Sequence, residues 1–279
     1  MTDTRILPIY NLTKWIAYSN YVKDVRPISS MIICDAEQGK SFTLGFFKNV
    51  TTFKFLSDLT AHGLLALGGL DSVRDKKTSH LICPDFNPVV SRKEHTVSST
   101  IALLNFLIWD GLEEIIHFAI KKLPEGYLGL KCGMIISITK DVYLDCPIIR
   151  KSGFMSRFIP LSYSLDTGFK KEIKDAIKRK KNIVTPEEFK FPKEPVTVIF
   201  PNNDKVFIER FDKLETYVSK NAVTGFRTVE ILKILCQGVA LSHNKKKVNL
   251  KHLEEIEELS YYLNADGNLY PKNYSEGFK

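Results

Sequence analysis

The sequence lacks the features that define several large protein classes. No segment approaches the roughly 20 consecutive apolar residues that span a bilayer. Its opening stretch, MTDTRILPIYNLTKW, has no basic run followed by an apolar core. Neither a membrane span nor a secretory leader is expected. Cysteine is sparse and odd in number: Cys34, Cys83, Cys132, Cys146 and Cys236 lie far apart, with no C-x-x-C pair. That argues against a disulfide framework or a cysteine zinc site. It predicts buried free thiols and a cytoplasmic or other reducing intracellular compartment. The histidines are scattered and form no H-E-x-x-H pattern.

What is present reads as an ordinary globular chain. Apolar residues make up 44% and charged residues 26% of the 279 positions, and this length is enough for one large domain or a core domain plus a small one. The net charge is +8, which favours an anionic partner.

The chain can be organised around MIICDAEQGKS, residues 31–41. An apolar run ends at Cys34, a short polar turn follows, and Gly39-Lys40-Ser41 opens an apolar, helix-compatible stretch. A buried strand feeding a turn that opens a helix is the layout of a P-loop. Backbone N–H groups of Asp35, Ala36, Glu37, Gln38 and Gly39 would hold phosphate oxygens at the positive end of the helix. Lys40 would reach the β- and γ-phosphates, and the Ser41 hydroxyl would ligate Mg²⁺. The usual pattern begins with glycine. Cys34 stands there instead, which predicts a permissive backbone conformation at that residue.

A second apolar run, SHLICPDF at residues 79–86, ends in Asp85. A buried strand presenting an aspartate at its carboxyl end suits a Mg²⁺–nucleotide site. Asp85 is therefore the second metal ligand candidate, although Pro-Asp is also a common turn pair. Phe86 occupies the next position, where a water-polarising glutamate is usual. Asn87 and Glu94 are the nearby polar side chains.

Elsewhere, residues 9–24 suggest a helix capped by Asn11 or Thr13 and stopped by Pro27. Residues 52–56, 131–139 and 196–200 suggest strands, and residues 96–109 a helix ended by Gly111. Residues 113–120 alternate toward β before a hairpin tip at Lys121 and Lys122. Residues 153–163 hold one arginine, Arg157, in an apolar stretch leading to another strand. Residues 169–181 suggest a basic helix, and 186–195 a linker. Residues 204–263 carry helical periodicity throughout.

In this order the segments resemble the AAA+ ATPases, in the branch of the minichromosome maintenance helicases. MIICDAEQGKS resembles Walker A and HLICPDF resembles Walker B. EIIHFAIKKLPEGYLGLKCGMIISIT is similar to the hairpin before sensor 1, which maps to Thr139. GFMSRF is similar to the segment carrying the arginine finger, which maps to Arg157. GFRTVEILKILCQGVAL resembles the lid helix whose early arginine, sensor 2, maps to Arg227, and VNLKHLEEIEEL resembles the last lid helix.

The resemblance implies an α/β fold: a P-loop AAA+ core with a mainly parallel sheet over residues 28–200, then a small all-α lid over 201–265. An N-terminal helical segment (1–27) and a flexible tail (266–279) flank them. It implies an ATPase using ATP and Mg²⁺, with Asp85, Thr139, Arg157 and Arg227 in catalytic roles. It also implies a ring-like homo-oligomer, a hexamer. Lys121 and Lys122 at the hairpin tip, with the net charge, point to nucleic acid, DNA, as what it remodels or translocates. At this length, targeting would come from a recruiting protein or from the N-terminal helix. Two alternatives stay open. One is a non-hydrolysing ATP-binding subunit of a nucleoprotein assembly, which Phe86 favours. The other is a machine for protein substrates.

Overall fold

A computed structural model describes residues 7–113, 123–151, 153–165, 167–179, 189–221 and 226–265. The chain opens with helix α1 (Leu7–Ser19) and strand β1 (Ser29–Cys34), then α2 (Lys40–Gly45) and β2 (Phe53–Phe55). Two short helices, α3 (Ala61–Leu65) and α4 (Asp71–Arg74), lead to β3 (His80–Cys83). Next come α5 (Asn87–Val90) and α6 (Glu94–Asn105), which continues as one π-helical turn, Phe106–Asp110. Strand β4 (Gly133–Thr139) is followed by α7 (Lys140–Asp145) and α8 (Pro147–Lys151). A 3₁₀ turn, Met155–Arg157, leads into β5 (Phe158–Leu161). Helices α9 (Thr167–Lys178), α10 (Lys205–Asn221), α11 (Arg227–Ser242) and α12 (Leu250–Leu259) follow, and a 3₁₀ turn, Ser260–Tyr262, completes the order.

All five strands are parallel, in the order β2-β3-β4-β1-β5. Strands β1, β3 and β5 are buried along their whole length. Covered on both faces, a strand needs apolar side chains in succession rather than alternation, which explains the unbroken runs in the sequence. The strand order has a functional consequence. From β1 the chain crosses toward β2; from β4 it crosses over β1 to β5. Parallel crossovers are right-handed, so these two connections leave adjacent strands toward opposite faces. A crevice therefore opens at the carboxyl ends of β1 and β4, where open α/β sheets bind ligands. The register sets Cys34 beside Thr139 at this edge.

The helical module, α10 to α12, is tied to the core through α1. Helix α11 packs along α1 at Gly238, where an added Cβ would lie 2.5 Å from the Trp15 carbonyl oxygen. Only glycine permits that approach. The Gln237 side-chain amide donates to the Val198 carbonyl at 2.7 Å. Arg210 of α10 pairs with Glu254 and Glu257 of α12, and an Asn249–His252 capping box starts α12.

Several local expectations change in the folded chain. Helix α1 already runs at Leu7, so Asn11 and Thr13 lie inside it, and it ends at Ser19 rather than Pro27. Residues 196–200 form no strand: they make isolated bridges, Val22 with Val196 and Ile199 with Lys247. With partners on only one or two residues, no ladder can propagate. The segment expected to alternate toward β lies mostly outside the described residues.

Candidate nucleotide site

The loop after β1 is held by its own side chains. Asp35, Ala36 and Glu37 are exposed. Gln38 turns inward, only 4% exposed, and its Oε1 accepts the Leu165 backbone N–H at 2.7 Å. The backbone takes left-handed conformations at Glu37 (φ 58°) and at Gly39 (φ 74°), and Gly39 caps α2. Glycine is suited to that conformation; Glu37 accepts a steric cost there. Cys34 needs no special conformation, contrary to expectation. It is an ordinary strand residue paired with Thr139, so the chain turns three to five residues later.

Lys40 folds back over this loop. Its Nζ donates to the Cys34 carbonyl at 3.1 Å and to the Asp35 carbonyl at 2.8 Å. Ser41 is exposed on the first turn of α2, and the Thr43 hydroxyl donates to the Gly39 carbonyl. Beneath the loop lie the Cys34 thiol and the Tyr163 hydroxyl, both buried. Burial pushes the Cys34 thiol up to about 12, so it stays protonated and unreactive. The Tyr163 hydroxyl lies near Cys34 and Thr43 but makes no hydrogen bond of acceptable geometry.

The ends of β3 and β4 form the opposite wall. Asp85 is exposed, and its Oδ1 accepts the Asn87 backbone N–H at 3.1 Å, an Asx turn. The turn reading and the ligand reading of Asp85 are thus compatible, because its other oxygen remains available. Phe86 is fully buried, stacks on Phe154 with centroids 6.2 Å apart, and donates its N–H to the Ser137 carbonyl at 2.8 Å. Asn87 spans the two strands: its Oδ1 accepts the Thr139 N–H at 3.1 Å. The sequence assigns Asn87 no role: it stands four residues beyond the end of β3, and its partner is 52 positions away in the chain.

Arg157 and Arg227 lie elsewhere. Phe158 pairs with Ser29, the first residue of β1, so Arg157 sits at the amino edge of the sheet. That is roughly 17 Å, one strand length, from the loop. Its Nη1 donates to the Gly153 carbonyl at 2.8 Å, its Nη2 faces Asp110 at 3.4 Å, and its side chain is 13% exposed. Burial, then the nearby Arg227 charge, lowers its pKa; a guanidinium stays cationic regardless. Arg227 donates to the Ser156 hydroxyl at 2.9 Å and lies 5.0 Å from the Trp109 ring centre. Arg26 covers Trp109 at 3.9 Å and pairs with Glu230 at 2.9 Å. The structure thus brings Lys40, Ser41, Asp85 and Thr139 to one end of the sheet and gathers Arg157 and Arg227 at the other. Lys121 and Lys122 lie outside the described residues.

Among the described residues, no cluster of three His, Cys, Asp or Glu could hold a metal unaided. No described helix is long and apolar enough to cross a membrane. No protein-family model matches the chain, and no curated protein sequence does.

Proposed function

We propose that this chain binds ATP with Mg²⁺ at the carboxyl end of its sheet and is an ATPase of the AAA+ type, working on nucleic acid as a ring-like oligomer. The observation that carries the nucleotide reading is the meeting at one edge of the Gly39-Lys40-Ser41 turn, Asp85 and the Asn87–Thr139 bridge. These come from three separate strands, at the crevice the strand order creates. The oligomer and the nucleic acid rest on the resemblance and on the +8 charge.

The residues present suit a magnesium nucleotide. Gly39 takes the left-handed turn the loop needs, and Lys40 already sits over it, bonded to carbonyls that phosphate oxygens would replace. Ser41 and Asp85 are exposed oxygen donors, a set suited to a cation that retains most of its water. Bound Mg²⁺ would neutralise charge on the β- and γ-phosphates. Thr139, fixed by Asn87, would position polar groups near the terminal phosphate. In this reading Arg157 cannot act in its own subunit. It would serve a neighbour's site, which makes assembly part of the activity.

A second reading has its own support. Phe86 fills the position of the water-polarising glutamate and is locked in the core, so no carboxylate stands there. A chain that binds nucleotide and turns it over slowly or not at all, as a subunit of a nucleoprotein assembly, fits that fact.

One set of measurements separates these readings. Calorimetric titration with ATP and Mg²⁺ should show binding by the parent and its loss in Lys40→Ala. Equal affinity in both would remove the P-loop reading. Steady-state hydrolysis with and without DNA then distinguishes an active machine, stimulated by DNA, from a binding subunit with no turnover.

A further inference from the structure

A cavity of about 470 Å³ opens between the α5–α6 corner and α7–α8. Its floor is apolar, formed by Val90, Val97, Val142 and Ile148. Its mouth is acidic: Glu94 and Asp145 are exposed, and neither has a cationic partner among the described residues. Arg92 also lines the cavity, but its guanidinium is turned to Asp58 and to the Leu59 carbonyl. Glu94 has a local reason for its place, because it stands in the first turn of α6 where the helix dipole favours a carboxylate. Asp145 closes α7 and stands two residues before α8, whose amino end favours a nearby carboxylate.

We infer that this cleft is a docking site for a short protein segment carrying an apolar side chain flanked by lysine or arginine. The volume is in the range of ligand-binding clefts, and an apolar anchor would displace water from the floor. Both carboxylates line the cleft and are exposed to solvent, whereas Val97 is buried. An apolar anchor seated on the valines with cations on the residues beside it meets both features, which is the geometry of neighbouring residues in a peptide. Charge complementarity at the rim then selects the partner. The inference is independent of the nucleotide reading.

The test uses the full chain without nucleotide. The probe is a fluorescein-labelled peptide, acetyl-Lys-Lys-Leu-Phe-Lys-Lys-amide, and its twin has glutamate in place of each lysine. Fluorescence anisotropy should show binding of the basic peptide and at least about tenfold weaker binding of the acidic one, as expected for complementary charge. Glu94→Lys with Asp145→Lys should weaken the basic peptide by about tenfold or more. Both residues are exposed, so this variant should fold. Val142→Trp, which fills the cavity, should abolish binding. Cys146 lines the same cleft and is the one cysteine among the five that is not buried, so its alkylation by iodoacetamide, followed by mass spectrometry, should slow when the basic peptide is present. Absence of binding by the basic peptide would overturn the inference. So would equal binding of both peptides, undiminished binding to the charge-reversed chain, or unchanged Cys146 alkylation. Lys40→Ala should bind the peptide like the parent, so loss of nucleotide binding and loss of docking are read separately.

Discussion

The Asn87 side chain joins the carboxyl ends of β3 and β4: its Oδ1 accepts the Thr139 N–H at 3.1 Å and lies 3.5 Å from the Thr139 hydroxyl. One amide thus ties the turn after β3, which carries Asp85, to the end of β4, the strand beside the P-loop. Replacing it with alanine should leave the Thr139 N–H without this partner, at a cost of about 1 kcal/mol in stability. ATP affinity should fall less than turnover, because the phosphate-holding loop belongs to β1. Thermal melting and paired titration and turnover assays check this. A variant with parent-like stability and turnover would reduce the bridge to a surface contact.

Asp85→Asn should separate the two roles of that residue. Asparagine keeps the acceptor that caps the Asn87 N–H, so stability should change by no more than about 0.5 kcal/mol. The negative charge is lost, so Mg²⁺-dependent turnover should drop while nucleotide affinity changes little. Turnover equal to the parent would make Asp85 a turn residue alone.

Arg157→Ala should leave ATP affinity near normal, since Arg157 is at the opposite edge of the sheet from Lys40. If Arg157 acts across an interface, hydrolysis should fall by roughly 10³–10⁵-fold, the contribution of arginine fingers elsewhere. Mixing with Lys40→Ala should then restore activity above the sum of the two, through composite sites. Undiminished hydrolysis, or no recovery although mixed oligomers form, would leave Arg157 as the tie between the Gly153 turn and Asp110.

The buried His80 predicts acid sensitivity. Its Nε2 contacts the Ile28 carbonyl and its Nδ1 the Ser79 hydroxyl, and burial lowers its pKa to about 4. The unfolded chain takes up this proton as pH falls through 6.5, while the folded chain resists until about pH 4. Stability is therefore full above pH 6.5 and declines between 6.5 and 4, by about 2 kcal/mol at pH 5. Urea unfolding of the parent and His80→Gln across that window checks the sign. A variant that loses stability as steeply as the parent would assign the effect to other groups.

The sequence by itself determined the local layout. Apolar runs too continuous for half-exposed strands located β1, β3 and β4, since burial on both faces demands that composition. Gly39-Lys40-Ser41 located the turn into α2, because glycine takes the left-handed conformation at little cost. Helical periodicity located α10 to α12. The π-helical turn after α6 and the start of α1 at Leu7 depended on packing against the rest of the chain, which periodicity does not register.

Only the tertiary structure decided what meets what. Strand order placed β4 between β1 and β3, so Thr139 came to Cys34 and Asn87 to Thr139. It also separated Arg157 and Arg227 from Lys40 and clustered them near Trp109 and Ser156. Phe86 shows the division within one residue. Its position in the chain marked a missing glutamate, but its stacking on Phe154, 68 residues away by number, decided that the side chain belongs to the core. Such contacts join residues far apart in sequence, and their partners are chosen by the burial of whole elements, which no local pattern of side chains encodes.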